Sequence, residues 1–123
     1  MPYTPEALSK FLETAYDKLS ALTSSLQDAE HHAAIARTNL AARRAEILVQ
    51  FCGDPKALGV NEATREATIA TMLTEERDEM ALQERCLAGA RNELALHQIE
   101  VDHLRAQLRI LEVSAGSDRR DIR

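Results

Sequence analysis

Four histidines and two cysteines are the side chains of this 123-residue sequence best suited to holding a metal or attacking a substrate. Imidazoles and carboxylates at helical spacing make zinc and iron sites, and a di-iron bundle needs Glu-x-x-His steps on facing helices. The spacing does not supply them. His31 and His32 are adjacent and point to different sides of a helix, while His97 and His103 stand six apart rather than three or four. Glu100-Val101-Asp102-His103 is one such step without a second to face it. Cys52 and Cys86 lack the short spacing of a metal clip or redox pair. Neither has a histidine and an orienting carboxylate arranged for nucleophilic catalysis, and no glycine-rich phosphate loop follows a strand. The expectation is a non-enzymatic protein with no catalytic residue, no metal and no cofactor.

Composition indicates the elements that carry these residues. Hydrophobic types make up 45% of the chain, but aromatics only 3% and tryptophan is absent, so leucine and alanine must do the packing. Leu, Ala, Glu and Arg are strong helix formers, and the strand-favouring types are sparse, which predicts an all-α fold. A formal charge of −5 gives no global field for phosphate backbones, and nucleic acid is a disfavoured partner. No apolar stretch reaches the roughly 20 residues needed to cross a bilayer. Met1-Pro2-Tyr3-Thr4-Pro5-Glu6 lacks the basic and apolar regions of a signal peptide. Two cysteines without a partner pattern read as reduced thiols, so the expected location is the cytoplasm.

The first helix is predicted over residues 4–52. Thr4 serves as its N-cap, Pro5 takes the first helical position, and Tyr3 with Leu8 forms a hydrophobic staple. From Leu8 alternating steps of four and three run through Leu12, Ala15, Leu19, Leu22, Leu26, Ala29, Ala33, Ala36 and Leu40 before Arg43 interrupts and Ile47 resumes. This heptad run makes a continuous apolar seam. Residues 53–60 form the turn, with Gly53 as C-cap and Asp54-Pro55 as turn starter.

Asn61 then caps a second helix over 61–113. Its seam is Leu73, Met80, Leu87, Ala90, Leu94, His97, Val101, Leu104, Leu108 and Leu111, with Glu76 and Gln83 as polar interruptions. Arms of similar length joined by a short loop predict one antiparallel helical hairpin over residues 1–113. Folding about the turn opposes Ala33 to Met80, Leu40 to Leu73 and Leu12 to Val101, and brings Arg43 near Glu66 and Ala70 and Arg37 near Glu76. Residues 114–123 carry turn formers and charge without periodicity, and are expected to be a flexible tail.

A two-helix hairpin buries one stripe per helix, so apolar residues off the seam require another surface. Leu82, Cys86, Gly89, Leu96, Ile99, His103 and Ile110 share a neighbouring face of the second arm, and Phe11, Ile35, Leu48 and Phe51 lie off the seam of the first. The expected consequence is a homodimer forming a four-helix bundle. A different protein is the other occupant of such a stripe. Near the turn, Arg37, Arg43, Arg44, Lys56 and Arg65 face the acidic stretch from Glu66 to Glu84. Mutual neutralisation is the simplest reading, and contact with phosphate or an acidic protein, there or at Arg119-Arg120, is the competing one.

The segment Gly59-Val60-Asn61-Glu62-Ala63-Thr64-Arg65-Glu66-Ala67, followed by a heptad arm ending Val101-Asp102-His103-Leu104-Arg105-Ala106-Gln107-Leu108-Arg109-Ile110-Leu111-Glu112, resembles small coiled-coil proteins of bacteriophages and prophages. The resemblance spans most of the chain and implies a phage accessory role, without adding a catalytic residue. Two functions are therefore expected in order: a self-associating scaffold or adaptor, and a nucleic-acid-handling or host-nuclease- or defence-inhibiting accessory protein that uses the arginine-rich tip.

Overall fold

A computed structural model describes the backbone of residues 4–121 and the side chains of residues 4–115. The described residues contain three α-helices and no strand: α1 (Pro5–Gln50), α2 (Glu62–Met72) and α3 (Thr74–Asp121), with a short 3-10 turn at Pro55–Ala57 between α1 and α2. The all-α class follows from the helix-forming composition. The starts of α1 and α2 are capped as their residue types dictate. The Thr4 hydroxyl accepts from the Ala7 N–H at 3.1 Å, and the Asn61 side chain accepts from the Thr64 N–H at 2.8 Å, each serving an otherwise unpaired donor of the first turn. Tyr3, the outer half of the expected staple, lies outside the described residues.

The chain divides into two compact units. In the first, residues 5–26 of α1 run antiparallel to the part of α3 that begins at residue 90. Leu8 and Phe11 line one groove with Leu104 and Gln107, and Leu19 and Leu26 line another with Leu94 and Arg91. Leu8, Ala15, Val101 and His97 are buried between them, and Leu12, Leu19, Leu22, Leu26, Leu94, Leu104 and Leu108 are half-buried. This is the spacing of a two-stranded seam, in which a narrow stripe faces the partner and its edges remain wet.

The second unit, residues 27–89, is a helical hairpin closed by the turn. Ala33, Ala36 and Leu87 are buried, Leu40 and Met80 half-buried. Near the turn Ile47, Leu58, Ile69 and Leu73 form a compact core with Leu40 and Phe51 against it. Leu58 comes from the turn itself, which is thereby anchored by apolar burial as well as by backbone hydrogen bonds.

Three local features differ from the sequence expectation. First, α1 ends without a left-handed glycine, because no described glycine has positive φ. Instead the chain tightens through Cys52 N–H to Val49 O and Asp54 N–H to Phe51 O, the i→i+3 bonds that close a last turn. Second, the second arm is interrupted at Leu73. The Thr68 and Thr71 hydroxyls donate back to Thr64 O and Ala67 O, and Thr74 donates to Thr71 O at 2.8 Å. Such side-chain competition for carbonyls bends helices, and here Leu73 N–H is shared between Ile69 O and Ala70 O. Third, α3 continues to Asp121, past the expected end at 113. Gly116 did not stop it.

Gly59 is required by close approach. A Cβ there would stand 2.8 Å from Thr64 Cβ and 2.9 Å from the Arg65 backbone nitrogen. Gly59→Ala is therefore expected to cost about 1–3 kcal/mol by overpacking, read from urea melts followed by circular dichroism. Gly53→Ala, whose Cβ meets nothing within 4 Å, is the control that should leave the midpoint nearly in place.

Candidate interaction surface

The chemistry-bearing residues are dispersed. His31 and His32 are exposed neighbours with ring centroids 6.2 Å apart. Cys52 and Cys86 are exposed free thiols. Among the described residues no three His, Cys, Asp or Glu side chains gather as a metal site would require.

His97 is the exception in being buried. Its Nε2–H donates to the Ala15 carbonyl across the seam at 2.7 Å, and its Nδ1 lies 3.2 Å from Glu100 Oε2. A carbonyl can only accept, so this contact places a proton on Nε2. The polar residue on the apolar seam is thus satisfied across it. An open groove of about 570 Å³ runs beside it, lined by Leu8, Phe11, Ala15, His103 and Leu104 among others.

The arginines of the turn-proximal unit are largely occupied. Arg37 pairs with Glu84 at 3.5 Å, where Glu76 was expected. Arg43 reaches Glu46 at 3.1 Å and Glu76 at 3.9 Å, where Glu66 was expected. Glu66 instead receives both nitrogens of Arg44, at 3.2 and 3.0 Å. The difference arises because the second arm is two helices here: α2 presents Glu66 to Arg44, and α3 presents Glu76 and Glu84 to the arginines before it. Arg65 donates through Nε to Gly59 O at 3.0 Å, which ties the helix start to the turn. Lys56 is exposed on the 3-10 turn. The side chains of Arg119 and Arg120 lie outside the described residues.

The Arg44 fork on Glu66, first through its hydrogen bonds and then through its charge, holds that carboxyl below its ordinary range; the same contacts raise the guanidinium. Because the folded value for Glu66 is the lower one, the contribution is fully present above the unfolded carboxylate range and is lost as pH falls through the folded value. The contribution of Arg44 would be lost only as pH rises above the ordinary arginine range. Glu66→Gln should accordingly lower stability slightly near pH 7 and converge with the parent in strong acid, as measured by denaturant melts at both pH values. The pair is exposed, and added salt should shrink the difference.

The stripe expected to seek a partner is exposed. Leu96 and Ile99 are 66% and 65% accessible, and Ile110 is 59%; His103 shares their face and is also exposed. Leu82 and Cys86 are exposed on the part of α3 in the other unit, as are Ile35 and Leu48 on α1, and Phe11 is about half exposed. Two members of the α3 stripe are not among those expected from the sequence: Ala106, a small side chain, and Val113, 63% accessible, at the expected helix end. With them, Leu96, Ile99, His103, Ala106, Ile110 and Val113 alternate steps of three and four. The same rule that identified the inner seam would have found them.

Comparison with protein-family models, with curated proteins and with solved structures yields no match.

Proposed function

We propose that this protein is a non-enzymatic, self-associating coiled-coil scaffold whose assembled helical surface engages other proteins. The observation that carries the reading is the second heptad row of α3. Four large apolar side chains, Leu96, Ile99, Ile110 and Val113, are each more than half accessible, and they recur at the spacing by which one helix packs on another. Scattered exposed apolars are ordinary, but a periodic row of them is the pattern of a helix contact. The shallow grooves and the dispersed histidines and thiols offer no comparable support for chemistry on a substrate.

Size-exclusion chromatography with light scattering, under reducing conditions that keep Cys52 and Cys86 from cross-linking, tests the reading. A mass of at least twice the 13.7 kDa chain is expected at micromolar concentration. A monomer persisting to high micromolar concentration would overturn it.

The arginine-rich tip carries less. With Arg37, Arg43 and Arg44 paired to glutamates and Arg65 on a backbone carbonyl, a phosphate would have to displace existing partners.

A further inference from the structure

The outer row of α3 has a direction written into its flanks. Helical rotation places Leu96, Ile99, His103, Ala106, Ile110 and Val113 on roughly the opposite side of α3 from His97, Val101, Leu104 and Leu108, the positions that meet α1. Leu96 and His103, on the edge of the row nearer α1, also line grooves beside it, but all six side chains are exposed with α1 in place. If the first position of each heptad on one helix meets the fourth position of an antiparallel copy, the row closes on itself without remainder. Leu96 meets Val113, Ile99 meets Ile110, and His103 meets Ala106, a large residue against a small one at the centre.

The residues beside this row settle the orientation. Asp102 and Arg109 occupy the same flank, seven residues apart, and both are exposed. In the antiparallel arrangement Asp102 of each copy lies against Arg109 of the other, giving two opposite-charge pairs about the central layer. On the other flank Glu100 meets Gln107, so no like charges are opposed. A parallel pair would set His103 against His103, and would place Asp102 opposite Gln107 and Arg109 opposite Ser114, with no charge complement. Asp102 now accepts from Gln98 Nε2 at 3.1 Å, a contact between solvent-facing neighbours on one helix that leaves its carboxylate accessible.

We propose that residues 96–113 of α3 pair with the same segment of a second copy, antiparallel about a twofold axis through the His103–Ala106 layers, with reciprocal Asp102–Arg109 ion pairs. This rests on the self-association proposed above and specifies its geometry. The two α3 segments lie at the centre and each copy's α1 segment lies on the outer side, in place of the shared four-helix core expected from the sequence.

The test uses the full chain, reduced, with sedimentation equilibrium as the readout and circular dichroism as the check on folding. Asp102→Arg and Arg109→Asp each turn two attractive pairs into two repulsive ones, and each is expected to weaken homodimerisation about tenfold. Mixed in equal amounts the two variants should form a heterodimer with near-parental Kd, since one chain then presents two arginines and the other two aspartates. The double variant should recover homodimerisation. Variants that dimerise like the parent, with no preference in the mixture, would overturn the antiparallel α3 pairing while leaving self-association standing. A monomeric parent would overturn both.

Discussion

Ile47→Asp is expected to unfold the turn-proximal unit, with a loss on the order of 4 kcal/mol or more and disappearance of a cooperative urea transition at 25 °C. Ile47 has no accessible surface and sits among Leu58, Ile69 and Leu73. A carboxylate there would be surrounded by hydrocarbon. The two cations a helical turn away are already engaged, Arg43 with Glu46 and Glu76 and Arg44 with Glu66, and drawing either inward would strand those carboxylates. Ile47→Ala separates the charge effect from the volume effect: it should cost about 2–5 kcal/mol while leaving a cooperative transition. If the aspartate variant melted like the alanine variant, the packed cluster around Leu58 would not be as described.

Two changes on α3, five residues apart, should behave in opposite ways. Val101 is fully buried against α1 whereas Leu96 is two-thirds exposed. Val101→Asp buries an unpaired charge in the inner seam and is expected to cost about 3–5 kcal/mol of stability, visible as lost helicity by circular dichroism. Leu96→Ser should leave stability within about 0.5 kcal/mol. Its effect is expected on the proposed self-association, where removing an apolar anchor from both copies should raise the dimer Kd at least about tenfold. Equal losses of helicity from both substitutions would mean that α3 has one functional face and not two.

Much of this was legible in the residues. The alternation from Leu8 to Ile47 and from Leu73 to Leu111 marks the positions that the structure buries or half-buries, because the seam is set by helical geometry alone. The caps at Thr4 and Asn61 are equally local, and both hydrogen bonds form. What escaped depends on competition between local terms. The interruption at Leu73 comes from Thr68, Thr71 and Thr74, whose hydroxyls bond to backbone carbonyls; hydrophobic periodicity runs through such a bend unchanged. Leu58 and Ile69 join the core because the turn folds in and α2 is a separate helix, and neither fact is periodic. The ion-pair partners of Arg37 and Arg43 were misassigned for the same reason: a register counted along one straight arm does not survive a bend in it. Residues 114–121 are helical although their turn formers and charges carry no periodicity.

The inner seam and the outer row make different demands on the same helix. Val101 and its neighbours hold the fold of one chain; Leu96, Ile99, Ile110 and Val113 contribute little to it and remain exposed. That separation predicts that a substitution in the outer row abolishes the proposed assembly without unfolding the protein. Sedimentation equilibrium of the reduced chain beside Ile99→Glu, with helicity recorded for both, tests it most directly. The parent is expected to sediment as a dimer or larger and the fully helical variant as a single chain; equal masses for the two would contradict the account.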